Sequence, residues 1–193
     1  AIIGIVALGM NMVIIAGMID LSVGSLVALT AGLGVIVLNS TGSILITLVF
    51  SLVFGTLLGG INGILITKGK IAPFIVTLAT MSAFRSIIVQ LGQGGPFNVS
   101  EKSYGKFRLI AAGDFFSIPN LAIIFIITAV IISIVMTKTK FGRYIYAVGS
   151  NENATKLTGI NVDFIKNAVF CFTGLLSGLS AFLLSSRLSS ITA

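Results

Sequence analysis

Asp20 is the only acidic residue in the first hundred positions, and it stands in GMIDLSVGS between two apolar runs. A carboxylate there could line a solute path or relay protons, because an ionisable group at membrane depth is costly and marks function. Asp20 or Ser22 could equally cap the helix that follows, with Gly17 and Gly24 easing the break. Arg85 poses the same question inside a later run. It can snorkel about 9 Å to the interface, or face an aqueous cavity and contact solute. Asn62 offers an amide in a third run, for an interhelical hydrogen bond or for solute. The sole cysteine, Cys171, lies in an apolar run and there is no histidine. A disulfide framework and a thiolate metal site are therefore excluded within the chain, and a serine protease would lack its base. Lys70 is followed by Ile71, so no G-x-x-x-x-G-K-[ST] loop occurs. No catalytic residue, metal or cofactor is expected, and energy for any pumping must come from elsewhere.

The elements that position these residues follow from composition. Of 193 residues, 56% are hydrophobic and 9% charged, with a mean hydropathy of +1.14. That describes an all-α integral membrane protein, a polytopic bundle of about six transmembrane helices in one domain, residues 1–193. The expected spans are 1–18, 22–38, 43–67, 73–91, 120–136 and 167–186. Short alternating segments of a β-barrel are absent. The net charge of +7 sits in loops between spans without interleaved aromatics, so nucleic acid is not an expected partner and the lipid bilayer is. The sequence starts within an apolar run and stops just after one, so truncation at both ends is expected.

Gly55, Gly59 and Gly63 recur every four residues, so they share one helix face, and Gly174 with Gly178 repeats the pattern. Such rows let a second helix backbone approach closely, which is how helices adhere in lipid. Two polar segments remain, 92–119 and 137–166. Two spans separate the Lys68–Lys70 turn from the 137–166 segment, so both lie on one side. Together they hold seven of the twelve basic residues, which makes that side cytoplasmic and 92–119 external. Within 137–166, NENATKLTG can form a short helix with Ser150 or Asn151 as N-cap, Glu152 at its positive end and Gly159 as its stop. Small Ala154 gives a cytoplasmic partner close access.

Four stretches, GMIDLSVGSLVALTAG, GGINGILITKGKIAPFIVTLATM, FGRYIYAVGSNENATKLTGINVDFIK and GLLSGLSAFLLSSRLSS, resemble the permease subunit of an ABC importer of the ribose or simple-sugar type. The resemblance implies a bacterial cell-membrane protein that pairs with a second permease subunit as a homodimer. It also implies cytoplasmic ABC ATPase subunits and an external sugar-binding protein as partners. Gly149, Asn151, Glu152, Ala154 and Gly159 match its ATPase-coupling segment. An ion-coupled transporter, with Asp20 as its only relay candidate, and a related amino-acid permease stay open as alternatives.

The charge parity predicts thiol labelling in a Cys171-free background. Cysteines at Gly69 and Asn153 should react only from inside, and one at Ser103 from outside. The reverse at position 103 overturns the orientation.

Overall fold

In hydrocarbon every backbone N–H and C=O must be satisfied within its own segment, so the apolar runs fold as helices. The computed structural model describes residues 1–115, 118–188 and 190–191. Phe116 and Ser117 of the expected external loop lie outside the described residues, as do the side chains of residues 101–103, Ser103 among them. Helix α1 spans Ile2–Ile15 and stops short of residue 18, because Gly17 takes φ +78° and Met18 N–H folds back onto the Val13 carbonyl at 3.0 Å. Helix α2, Val23–Thr41, ends where Gly42 adopts φ +66°. Ser43 starts α3, Ile44–Thr67, by accepting the Ile46 N–H. Helix α4, Pro73–Leu91, begins on its proline, where the missing N–H does no harm.

The 92–119 segment is more ordered than a loop. It contains strand β1 (Phe97–Asn98), the twelve-residue helix α5 (Glu101–Ala112), and a hairpin of β2 (Asp114–Phe115) with β3 (Ile118–Pro119). Helix α6 then runs Asn120–Lys138, α7 Lys140–Ser150 and α8 Glu152–Leu157, so the 137–166 segment is mostly helical. Helix α9, Val162–Leu188, starts at 162 instead of 167, because the Asn161 side chain accepts the Phe164 N–H at 3.0 Å and caps it. Strand β4, Ser190–Ile191, pairs antiparallel with β1. Five helices, α2, α3, α4, α6 and α9, are long and apolar enough to cross a membrane, and α1 is a shorter apolar helix. The all-α polytopic reading is borne out.

Helix α9 is the axis of the bundle. Its glycines identify the partner of the row on α3. A methyl group on Gly55 would stand 2.9 Å from Gly178 Cα, one on Gly59 3.0 Å from Gly174 Cα, and one on Gly63 2.9 Å from Asn167 Cα. The two helices therefore run antiparallel with backbones touching, within one chain. Hydroxyls of α9 tie its other neighbours. Thr173 donates to the Gly9 carbonyl at 3.1 Å and Ser180 to Ile2 at 3.3 Å, both on α1. Ser185 donates to Ala31 of α2 at 3.3 Å, and Ser186 to Phe107 of α5 at 2.6 Å. Phe107 and Phe182 meet edge to face at 5.4 Å.

The two ends of the bundle differ. One end gathers Lys70, Glu152, Lys156, Asp163 and Lys166 around a single cleft, so the 68–70 turn and the α8 segment share it, in agreement with the parity argument. The other end joins α2 to the 92–119 segment, where the Asn39 side chain donates to the Asn98 carbonyl and accepts the Ser100 N–H, both at 2.9 Å.

Gly59→Ala should therefore destabilise the single chain by about 1–3 kcal/mol through overpacking. The measurement is the thermal unfolding midpoint in detergent, which should drop. Gly105 of α5, with open space where a Cβ would stand, provides the control. Gly105→Ala should be neutral or stabilising by up to about 1 kcal/mol.

Candidate functional site

Helix α8 is built as a short rigid step. Asn151, extended at φ −159°, accepts the Ala154 N–H on its Oδ1 at 2.9 Å and so caps the helix. Ser150 instead closes α7. Thr155 is buried and its hydroxyl donates to the carbonyls of Ala147, 2.9 Å, and Asn151, 2.8 Å. These bonds fix α8 against α7. Past the last turn Gly159 takes φ +81°, a conformation that glycine adopts without strain.

Glu152 sits in the first turn of α8, where negative charge favours the helix dipole. Its carboxylate also accepts from Lys156 Nζ at 2.8 Å and from Lys166 Nζ at 2.7 Å. The hydrogen bonds from Lys156 and then Lys166 hold the acid below its usual pKa, so it is ionised at neutral pH. The Lys166 contact, fourteen residues away, fastens α8 to α9. Sequence reading did not find it, since only the i,i+4 pair with Lys156 has a local signature.

Ala154 is exposed as expected, and Leu157, which sequence reading passed over, is 90% exposed. A groove beside them is lined by Phe141, Tyr144, Ile160 and Phe164. Gly149 differs from the others. A methyl group there would strike the Ile15 carbonyl, so the position is occupied by close packing of α7 on the end of α1.

The turn between α1 and α2 holds a buried polar chain. Asp20 is 2% exposed, and one of its oxygens accepts the Ser22 N–H at 2.8 Å and the Ser22 hydroxyl at 2.6 Å. Asn62 Nδ2 donates to the same Ser22 oxygen at 2.8 Å. The expected cap on α2 is not made, since Ser22 forms no side-chain cap bond; Asp20 closes its own turn. Asn62 makes the interhelical bond, and its Oδ1 has no partner among the described residues. Thr77 of α4 reaches the Ile19 carbonyl at 3.5 Å. Arg85 is not brought to this network. It is exposed and lies eight residues further along α4 than Thr77, about 12 Å at helical rise. No cluster of three or more His, Cys, Asp or Glu that could hold a metal occurs among the described residues.

Five membrane-length helices among the described residues, with a charged end carrying a short capped helix, define a multi-pass membrane protein. The family model described as "Branched-chain amino acid transport system / permease component" matches residues 1–193. The chain belongs to this family. It is 42% identical over 190 residues to the ribose import permease protein RbsC of Bacillus subtilis (strain 168), covering 98% of this chain and 59% of that protein. It is 41% identical to the protein of the same name from Haemophilus influenzae, covering 96% and 58%. The L-arabinose ABC transporter permease protein AraH of Azospirillum brasilense is 32% identical, over 97% of this chain and 55% of that protein. The chain thus spans under two thirds of the length of the curated relatives it matches. No solved structure matches it.

Ser22 is the hub of the buried chain, so Ser22→Ala should cost about 1–3 kcal/mol by leaving Asp20 and Asn62 without their shared partner. Thermal unfolding in detergent checks it. Ser25→Ala, which removes only a local bond to the Ser22 carbonyl, should shift the midpoint less.

Proposed function

We propose that the whole protein is the permease subunit of an ATP-driven importer in a bacterial cell membrane, translocating ribose or a related simple sugar. An external binding protein delivers the sugar, two permease copies pair, and ATPase subunits dock at the end that carries α8. The observation that carries this reading is the similarity to ribose import permeases over 96–98% of the chain. The geometry of α8 supports the coupling part. Its cap, its Thr155 bonds and the Glu152–Lys166 pair make it a rigid lever, while Ala154 and Leu157 face outward to meet a partner. Push on α8 reaches α9 through Lys166 and the turn before α2 through Gly149 and Ile15.

The family description favours one competing solute, a branched-chain amino acid, and uptake of labelled ribose against labelled leucine separates the two. Coupling is tested in the full complex by Glu152→Lys, which places two lysines and a third cation together, and by Gly159→Val, which strains the positive φ. Insertion and pairing should survive. Sugar uptake and binding-protein-stimulated ATP hydrolysis should fall together, by about tenfold, a size typical of coupling between distant sites. A cysteine at Ala154 should crosslink to the ATPase. Wild-type uptake and hydrolysis in both variants, with no crosslink, would remove α8 from the coupling role.

A further inference from the structure

Helix α4 buries one face and leaves the other without a partner among the described residues. Val76, Thr77, Phe84 and Ile88 are its buried positions toward the bundle; Val76 joins the main core, and Phe84 with Ile88 packs on Leu26, Leu29 and Leu58. At 3.6 residues per turn, Ser82, Ser86 and Gln90 fall on the opposite side of the helix, with Arg85 at its edge. All four are exposed.

The other lipid-length faces are unlike this one. Exposed positions of α3 from Leu45 to Leu65 are all Leu, Ile or Val, and those of α6 from Ile126 to Ile134 are Ile or Val with one serine. Lipid solvates such surfaces, but it offers no partner to an amide, a guanidinium or a row of hydroxyls. Arg85 can snorkel and Gln90 stands one residue from the helix end at Leu91, so Ser82 and Ser86 are the groups that lipid leaves unserved. Ser82 stands nine residues from Leu91, about 14 Å along the axis, and a serine side chain cannot reach the interface from there. Its hydroxyl donates to the Leu78 carbonyl at 3.2 Å and keeps its lone pairs for another donor. A second copy pressed onto the same face would not supply what is missing, because α4 contains Arg85 and no Asp or Glu, so symmetric pairing would set like charges together.

We propose that the half of α4 from Ser82 to Gln90 forms the wall of a water-filled vestibule, open at the α5 end of the bundle, that takes neutral polyhydroxylated solutes. The wall offers two hydroxyls and an amide, four residues apart along one helix face, with a single cation at its edge. That chemistry suits a solute with many hydroxyls and no net charge. The solute class rests on the import reading above; the presence of water does not.

The test uses the full-length protein in its complex, in membrane vesicles, with Cys171→Ala and single cysteines at Ser82, Ser86 and Gln90. Val53 of α3 and Val130 of α6 are the lipid-facing controls. A charged, membrane-impermeant thiosulfonate should label positions 82, 86 and 90 about tenfold or more faster than 53 and 130, because the reacting thiolate forms only where water reaches it. Labelling at 86 should also block uptake of D-ribose. Reactivity at 82 and 86 no greater than at the controls overturns the vestibule. So does oxidative crosslinking of Ser86→Cys to a second copy with no thiosulfonate reaction, which marks a pairing seam. ATP dependence of ribose uptake in the unlabelled complex tests the import reading separately, since uptake without ATP would sink that reading and leave the labelling pattern to decide the vestibule.

Discussion

The contact of α3 with α9 sets the rest of the bundle. In lipid there is no hydrophobic drive to hold one helix on another, so association depends on van der Waals contact and on bonds between helices. Glycines on both helices bring the backbones together, and the methyl positions they leave empty are filled by the opposite main chain. With α3 held so close, α9 becomes the buried axis on which α1, α2 and α5 settle. Its hydroxyls then find carbonyls on each neighbour. A larger side chain in the glycine rows would move the axis and disturb every one of these bonds.

At the charged end the same economy joins separate elements through few contacts. Gly149 lets α7 touch the end of α1, Thr155 locks α8 to α7, and Glu152 links α8 to the start of α9. Ser22 gathers Asp20 and Asn62 just behind that surface. Contacts thus run without a break from α8 to α1 and to α9, and from the turn at Asp20 to α3. The proposed coupling would use this contiguous physical network.

The polar face of α4 lies outside that core. Its residues are exposed, and the helix is held by its other side, through Phe84 and Ile88 on α2 and α3, Val76 on the main core and Thr77 on the Ile19 carbonyl. A scaffold that clamps one face of a helix and leaves its hydrogen-bonding face open can present that face to water without loss of packing.

Length and hydropathy are enough, where the solvent is hydrocarbon, to read the class and the rough positions of the spans, but not their ends, since α1 stops at Ile15 and α9 begins at Val162. Local spacings and local caps also show that Gly55, Gly59 and Gly63 share a face, and that a short helix starts at Ser150 or Asn151 and stops at Gly159; the structure selects Asn151. Helix α5 and the hairpin of the 92–119 segment, and α7 of the 137–166 segment, were hidden, because amphipathic surface helices and hairpins lack the long apolar run that marks a span. Tertiary structure alone decided the long-range partners. It matched the glycine row to α9 within one chain, Lys166 to Glu152, Asn62 to Ser22 and Gly149 to the end of α1. Each of these rests on residues that only the fold brings together, and no spacing along the chain encodes a meeting between elements whose relative placement comes from packing.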